Sequence, residues 1–208
     1  MEFDTATLAI MTYRHNHMKG FLTMLTKNQL APAIRTTSLG GQPIELSTLR
    51  GKTVLIKFHR FSGCPVARCQ IDDLIKRQDE LSAAGIETIV FLHSSVAKIL
   101  PNFHEVPGLH IVADRQKAFY REYQSRFLWR KLFSAASWRA TFSAFTMGYF
   151  PQFNRFEGGV VGLPSDFLVD KTGRIIDVHY GKHFGDSWTV SDVLSKVDSR
   201  LDRAATSS

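Results

Sequence analysis

Apolar and polar positions alternate along the chain in blocks that predict strands and helices in turn. Continuous apolar runs predict three buried strands, at 53–58, 86–93 and 109–113. Helical spacing predicts one helix from Pro65 to its closing Gly85, and two others at 94–102 and 115–133. Strands that alternate with helices of this length predict a parallel sheet with crossover connections.

Turn signals add two hairpins to this pattern. Gly40 and Gly41 predict a turn between two short strands, and the turn at 170–173 predicts an antiparallel hairpin of strands at 165–169 and 174–180. A capping-box pattern that begins at Thr189 predicts a last helix to about residue 201. The sheet is therefore expected to be mixed, with helices on its flanks.

The same patterns divide the chain into three parts. Apolar residues at helical spacing predict an N-terminal helical extension over 1–29, residues 30–203 predict one α/β domain, and 204–208 predict a disordered tail. With 208 residues, of which 44% are hydrophobic, the chain is long enough to bury one proper core.

One stretch, 115–156, does not fit a minimal domain, because it holds about half of the aromatic residues, interleaved with arginines and few acids. We expect its part at about 134–160 to be a helical insertion that packs its rings on the domain or on a second copy in a homodimer. A membrane-surface helix and a nucleic-acid surface are the alternatives. No nucleic-acid partner is expected, and contact with a membrane surface is less favoured than packing on the domain or on a second copy.

Composition sets the expected compartment and partners. Two cysteines are too few for a secreted disulfide scaffold, and the acidic start of the chain does not resemble a signal peptide. No window approaches 18 uninterrupted apolar residues, so the prediction is a cytoplasmic protein. The net charge of +7 favours anionic partners. The glycine-rich stretch 158–162 precedes a strand and not a helix, so we expect no organic cofactor.

Both cysteines lie where the first buried strand gives way to a helix. Pro65 suits the first helical position, which makes Cys64 the N-cap, and helix N-terminal amides stabilise a thiolate. Arg60 and Arg68 add positive charge nearby. Cys69 falls on the polar face of the helix and is expected to face outward. Five residues span about 7.5 Å of helix, beyond ordinary disulfide reach, so a bond between the cysteines requires the first turn to unwind.

Two alternative interpretations assign the cysteines no redox role. In one, Cys64 packs inertly and Cys69 is an incidental thiol. In the other, both sulfurs share a metal with His59, His179 or His183, although a helix start is poorly suited to shared ligation. The separate pair of His15 and His17 is expected on the surface, because neighbours two apart on a helix face different directions. These last two residues are therefore not predicted metal ligands.

Several stretches occur in the order of the thioredoxin fold: Leu30-Ala31-Pro32, the turn at 49–52, the strand at 53–58, the Gly63-Cys64-Pro65 helix start and the stretch 163–175. Over about residues 30–200 they resemble the alkyl hydroperoxide reductase/thiol-specific antioxidant group, the peroxiredoxins and peroxiredoxin-like proteins. The resemblance implies a thioredoxin-like fold in which the insertion precedes a cis-proline strand.

The resemblance also implies roles for particular residues. Cys64 corresponds to the peroxidatic cysteine, and the four-residue gap to Cys69 is similar to that of the resolving cysteine in Q-type peroxiredoxins. Pro164 corresponds to the cis-proline beside the active cysteine. The supporting residues implied are Arg60, Ser62, Gly63, Pro65 and Pro164, because Arg60 to Cys64 resembles the Arg-x-x-Gly-Cys start of peroxiredoxin-like proteins.

Two departures from the peroxiredoxin pattern matter. The position three residues before the attacking cysteine, where peroxiredoxins carry Thr or Ser, is Phe61. By our placement Pro164 occupies the position of a peroxiredoxin arginine. Both changes favour a thioredoxin-like exchanger or a slow, specialised peroxidase. Ser62 and Arg60 are the candidates to supply the missing hydroxyl and charge.

Three functional hypotheses follow. The favoured one is a thiol peroxidase in which Cys64 forms a sulfenic acid, Cys69 resolves it, and a thioredoxin- or glutaredoxin-type reductant restores the pair. The second is thiol–disulfide exchange on a protein partner. The third is a non-enzymatic binding module whose working surface is the basic, aromatic insertion.

Overall fold

The structure, a computed structural model, describes residues 24–125, 134–152 and 162–205. Most of the predicted N-terminal helical extension lies outside these ranges, as do His15, His17 and the last three residues of the predicted tail. Residues 24–29 form no helix; they make a turn that is held against the β-hairpin near the end of the chain, where the Asn28 amide donates to the Ile175 carbonyl at 2.7 Å.

A five-stranded mixed sheet forms the centre of the molecule, in the order β5-β4-β3-β6-β7. The strands are β1 (Arg35–Thr37), β2 (Pro43–Glu45), β3 (Thr53–His59), β4 (Ile86–Leu92), β5 (Leu109–Ala113), β6 (Ser165–Val169) and β7 (Ile175–Tyr180). Strands β3, β4 and β5 are parallel, β6 and β7 are antiparallel to their neighbours, and β1 and β2 form a separate hairpin. The predicted thioredoxin-like architecture, a mixed sheet flanked by helices, is confirmed.

The helices of the described residues are α1 (Pro65–Lys76), α2 (Gln78–Ala83), α3 (Val96–Ile99), α4 (Ala118–Glu122), α5 (Ala135–Thr146) and α6 (Val190–Ala205). The single helix predicted from Pro65 to Gly85 is in fact two, because Arg77 leaves the helical region with φ −112°. Gly85 does close the second one, with φ +72°. The last helix runs through Ala205, two residues into the predicted tail.

Two other predicted helices end earlier than expected for local reasons, and residues 126–133 of the second prediction lie outside the described residues. Pro101 follows α3, and a proline cannot continue a helix without losing a backbone hydrogen bond. Gln124 takes a left-handed conformation with φ +56°, and the Ser125 amide returns to the Tyr120 carbonyl at 2.8 Å, which closes α4.

Apolar side chains cover both faces of the central strands, as the continuous apolar runs predict. One cluster fills the space between the sheet and helices α1, α2 and α6. A second lies on the opposite face, under the β1–β2 hairpin and α4. A third, smaller cluster joins the outer side of α1 to α5. Within the described ranges, no helix is both long and apolar enough to cross a membrane.

An ion pair lies inside this core. Lys57 of β3 is 1% exposed and its Nζ lies 2.8 Å from Asp166 of β6, which is itself fully buried. The carboxylate also accepts from the Trp188 amide and the Ser187 hydroxyl. Because every oxygen is satisfied, the ion pair ties β3, β6 and the chain before α6 together at the end of the sheet from which the cysteine loop leaves.

Candidate functional site

Cys64 lies at the end of the loop that joins β3 to α1. It is the N-cap of α1, in an extended conformation, and Pro65 occupies the first helical turn, as predicted. Its amide donates to the Phe61 carbonyl at 3.0 Å, which closes a tight turn. The Cys64 side chain is 0% exposed. The expectation that first-turn amides hold the sulfur is wrong, because the cap makes no side-chain hydrogen bond.

The partner of the Cys64 sulfur is Arg60. Its Nη1 lies 3.2 Å from Sγ, and the guanidinium is stacked 3.6 Å from the ring centroid of Phe184. Arg60 is only 8% exposed, so its charge is held in a site from which water is largely excluded. A guanidinium in contact with a sulfur stabilises negative charge on it. Arg60 therefore supplies the positive charge that the sequence lacks at position 164.

Ser62 fixes the loop through its backbone and its hydroxyl. Its amide donates to Ser94 Oγ at 3.0 Å, and its own Oγ donates to the Lys98 carbonyl at 2.9 Å. Asn102 Nδ2 donates to the Ser62 carbonyl at 3.1 Å. Since the hydroxyl proton is engaged by a backbone carbonyl, Ser62 positions the loop, and the suggestion that it replaces the missing threonine hydroxyl finds no support.

Cys69 lies in the second turn of α1, beneath α5. Its Sγ is 3.5 Å from Met147 Sδ, and the side chain is half-buried. The prediction of an outward-facing thiol is wrong, because α5 packs on the polar face of α1. Both cysteines are free thiols, and both contribute to the third apolar cluster, together with Phe61 and Ala144.

The surroundings of Cys69 disfavour its thiolate. Burial raises the pKa of the Cys69 thiol, Asp72 and Asp73 raise it further, and Lys76 opposes them. Desolvation and neighbouring negative charge both penalise an anionic sulfur. Cys69 is therefore held as a protonated thiol at neutral pH.

The chain that follows α5 crosses over the start of α1, and we call residues 148–152 the strap. The Tyr149 hydroxyl donates to Asp72 Oδ2 at 2.7 Å, and the Gln152 amide donates to the Gly63 carbonyl at 3.1 Å. Asn102 Nδ2 also donates to Gln152 Oε1 at 3.0 Å. Burial and the hydrogen bond to Asp72 raise the pKa of Tyr149 to about 12, so this hydroxyl remains a donor. The strap thus connects the surroundings of both cysteines.

Pro164 lies where β6 begins, and Ser165 beside it pairs with Phe58, so the proline is at the end of the sheet from which the cysteine loop leaves. The described residues contain no cis peptide bond, so the predicted cis-proline is wrong. The trans form of a bond to proline is favoured by about 0.5–1 kcal/mol without other constraints. In this form the Pro164 carbonyl accepts from the Gly181 amide at 2.9 Å, which extends the β6–β7 pairing.

The histidines considered as metal ligands have other surroundings. His59 is buried, and burial together with Lys57 lowers its pKa well below the ordinary value. His179 Nε2 lies 2.8 Å from Asp186, and His183 Nδ1 accepts from the Gly185 amide. Across the described ranges, no group of three or more side chains of the metal-binding types comes together.

Several residues of the site escaped the sequence argument, namely Asn102, Met147, Tyr149 and Gln152. They reach the cysteines only through tertiary contacts; Met147 is 78 residues from Cys69 in sequence and Tyr149 is 77 from Asp72. The aromatic enrichment of this part of the chain was the one available signal, and it did not indicate which side chain faces α1.

Comparisons with solved structures show the same fold. Peroxiredoxin 6 of Arenicola marina, solved as a cysteine-to-serine mutant, is 14% identical over 86% of this chain and 75% of that one, with a TM-score of 0.62. The mitochondrial 2-Cys peroxiredoxin from Plasmodium falciparum is 15% identical over 88% and 98% of the two chains, with a TM-score of 0.61. A thiol:disulfide interchange protein DsbE from Chlorobium tepidum is 17% identical over 83% and 99%, with a TM-score of 0.55.

A search of curated proteins by sequence found no match. The sequence model of one family, described as the AhpC/TSA family, matches residues 28–178. This range includes both cysteines and every strand of the sheet, apart from the last two residues of β7. This match covers well over half of the chain and agrees with the order of motifs in the sequence. The chain belongs to the AhpC/TSA family, and it is a thiol oxidoreductase.

Proposed function

We propose that the protein reduces hydroperoxides, with Cys64 as the attacking thiolate and Cys69 as the resolving thiol. The observation that carries this proposal is the contact of 3.2 Å between Cys64 Sγ and the buried guanidinium of Arg60. It places a fixed positive charge against the one sulfur that caps a helix. Nucleophilic sulfur chemistry requires a thiolate, and this arrangement stabilises one.

The burial of Cys64 favours a small substrate over a protein disulfide. The side chain is 0% exposed, and the strap binds the Gly63 carbonyl directly beside it. A disulfide in a folded protein is attacked in line by an accessible sulfur, which the closed loop does not offer. A hydroperoxide group needs far less space. Thiol–disulfide exchange, the second hypothesis, would require the loop and strap to open before the first step.

In the first step the Cys64 thiolate attacks the distal oxygen of the hydroperoxide. A sulfur–oxygen bond forms and the oxygen–oxygen bond breaks, so that the sulfur is oxidised by two electrons to a sulfenic acid. The leaving oxygen takes up a proton and departs as an alcohol, or as water from hydrogen peroxide. Arg60 remains beside the reacting sulfur and balances the negative charge that moves toward the leaving oxygen.

Resolution requires the start of α1 to open. Helix α1 is intact in the reduced protein, with the Arg68 amide bonded to the Cys64 carbonyl at 3.0 Å, and Cys69 five residues on is out of ordinary disulfide reach. After the first turn opens, Cys69 leaves Met147 and its sulfur attacks the sulfenic sulfur. A disulfide forms, and the hydroxyl group leaves as water with the proton of the Cys69 thiol.

Turnover is completed by an external dithiol protein of the thioredoxin or glutaredoxin type. It transfers two electrons and two protons to the Cys64–Cys69 disulfide and becomes a disulfide itself. The opened first turn is the state in which these sulfurs are accessible to such a partner.

A direct test follows peroxide consumption by the reduced protein with a dithiol reductant. The wild-type protein consumes peroxide and accumulates a single intramolecular disulfide. Cys64→Ser abolishes consumption, whereas Cys69→Ser forms a sulfenic acid that a dimedone-type reagent traps. Mass analysis after one equivalent of peroxide distinguishes the two products.

The same samples separate the competing hypotheses. If the protein reduces a model protein disulfide rapidly but leaves peroxide untouched, exchange and not peroxide reduction is its reaction. If Cys64 resists both peroxide and alkylation at neutral pH, both redox hypotheses fail.

A further inference from the structure

Helix α5 packs on the domain through small side chains and exposes two of its three aromatic rings. Ala140 and Ala144 pack with α1 in the third apolar cluster, and the buried Ser137 accepts from the Phe184 amide at 3.4 Å. The opposite side and the turn after it present four large apolar side chains to solvent. They are Trp138 (63% exposed), Phe142 (68%), Met147 (61%) and Phe150 (63%), and we call them the outer aromatic face.

This arrangement reverses the usual amphipathic helix. A surface helix normally buries its large apolar side chains, because removing each of them from water stabilises the fold. The sequence predicts that the rings pack on the domain or on a second copy, and Trp138, Phe142 and Phe150 do not pack on the domain of this chain. Contiguous exposed apolar side chains of this size mark an interaction surface in a folded protein.

The charge around the outer aromatic face narrows the choice of partner. Residues 134–152 contain no aspartate, glutamate or lysine, and their one charged side chain is the exposed Arg139. Phe142, three residues on, is its neighbour on the helix surface, and Trp138 directly precedes it. The chain as a whole carries a net charge of +7. The surface therefore combines aromatic rings with positive charge, and it fits an apolar partner with a negative surface.

We propose that the outer aromatic face docks on the surface of an anionic lipid bilayer. Tryptophan and phenylalanine beside arginine are the side chains that partition into the boundary between headgroups and acyl chains. Helix α5 has 12 residues and a length of about 18 Å, less than the roughly 30 Å of a bilayer core, so it lies along the surface. A second copy of the chain would instead bring two charges of +7 together.

Docking through this face brings the cysteines close to the bilayer. Met147 belongs to the face and contacts Cys69, and Ala144 on the other side of α5 shares the third apolar cluster with Cys64. Docking needs no thiol chemistry, so Cys64→Ser binds vesicles as the wild type does. Failure of the peroxide reaction and failure of docking are therefore separate results.

The test measures co-sedimentation of the full chain with vesicles of phosphatidylcholine alone or mixed with phosphatidylglycerol. We expect binding to the mixed vesicles and little to phosphatidylcholine. The double variant Trp138→Ser/Phe142→Ser should weaken binding by about tenfold or more, because both side chains lose their contact with the bilayer. Its matched control is Leu30→Ser, an apolar side chain that is 59% exposed near the opposite end of the sheet and should leave binding unchanged.

A second pair of variants tests the charge. Arg139→Glu should weaken binding to the mixed vesicles by about fivefold or more, since each basic side chain near an anionic surface favours binding. Arg35→Glu makes the same change of net charge on the β1–β2 hairpin, across the sheet from α1, and should have a much smaller effect. Added salt should reduce the wild-type affinity.

Three results would overturn the proposal. The first is the absence of binding to anionic vesicles at low salt. The second is binding that the Trp138→Ser/Phe142→Ser and Leu30→Ser variants reduce equally, which would place the contact elsewhere. The third is a stable dimer in sedimentation velocity that the double variant dissociates, which would assign the face to a second copy. Circular dichroism of each variant checks that loss of binding does not reflect loss of fold.

Discussion

The two cysteines share one helix and one apolar cluster, yet the protein surrounds them with opposite charges. Cys64 is fully buried and contacts the guanidinium of Arg60. Cys69, five residues later, is half-buried against Met147 and close to Asp72 and Asp73, and its pKa is raised. The first sulfur contacts a cation, while the second lies near two carboxylates that disfavour its thiolate.

Under the proposed function, this difference corresponds to a division of labour between the two sulfurs. The attacking sulfur is prepared in the closed structure, because its charge partner comes from the same loop. The proposed resolving sulfur has a raised pKa in the closed structure, where α5 covers it. The proposed order of the two chemical steps agrees with these environments, and the following changes test that comparison.

Exchanging each cysteine for serine should give the largest effects and the clearest asymmetry. Cys64→Ser should abolish peroxide reduction, since no other thiol lies beside Arg60. Cys69→Ser should retain the first step within a few-fold but stop turnover. Single-turnover peroxide consumption and sulfenic-acid trapping measure the two steps separately; equal loss of the first step in both variants would contradict the assigned roles.

Replacing Arg60 should have the next largest effect on the rate of the first step. Arg60→Met removes a charge-assisted hydrogen bond worth about 1.5–3 kcal/mol, so the rate of the first step should fall by about ten- to a hundredfold. Arg68→Met is the matched control, because Arg68 is a cation at the same helix end that bonds the Phe150 carbonyl and not the sulfur. Stopped-flow measurement of the first step at several peroxide concentrations compares the two variants. Similar losses in the two variants would show that general positive charge, and not the Arg60 contact, matters.

The resolution step should depend on pH in the direction set by the raised pKa of Cys69. Below that pKa the thiolate is the minor form, so resolution should accelerate by about tenfold per pH unit and continue to rise past the ordinary thiol value of about 8.5. Asp73→Asn removes one of the acids that raise this pKa and should accelerate resolution modestly near neutral pH. Rapid-quench measurement of disulfide formation tests this. A rate that is independent of pH would mean that helix opening, and not thiol ionisation, limits resolution.

The smallest effect is expected at the strap. Tyr149→Phe removes the 2.7 Å hydrogen bond to Asp72 and should lower the cost of separating α5 from α1 by about 1 kcal/mol, which increases resolution up to about fivefold. The first step should not change. Tyr180→Phe is a control in β7, because the Tyr180 ring packs with the apolar cluster on the face of the sheet opposite α1. Unfolding in denaturant and single-turnover resolution are the measurements; an unchanged resolution rate would show that the strap does not restrain Cys69.

Much of the fold follows from the sequence because its signals are local. Strands β5 and β6 begin and end at the predicted residues, 109–113 and 165–169, since their apolar runs are bounded by turn signals. The Cys64 cap and Pro65 were likewise predictable from adjacent positions. Helix ends were less so, as the break at Arg77 shows, because nothing in the local pattern marks it.

The site was predictable only in part. The resemblance to peroxiredoxins directed attention to Cys64 and Cys69, and Arg60 was recognised as the candidate charge partner. The suggested hydroxyl at Ser62 bonds the Lys98 carbonyl, and Pro164 is trans. Both outcomes depend on which backbone groups approach from other parts of the chain, and the spacing of residues within a motif carries no information about them.

The sequence by itself determined the strand, loop and helix around Cys64, and with them a sulfur at a helix start four residues from an arginine. Those features depend on the conformational preferences of neighbouring residues. Only the tertiary structure decided that α5 covers Cys69 and turns Trp138 and Phe142 outward. The irregular spacing of rings and small residues along α5 does not say which side packs, because that depends on the close approach to α1 that Ala140 and Ala144 allow.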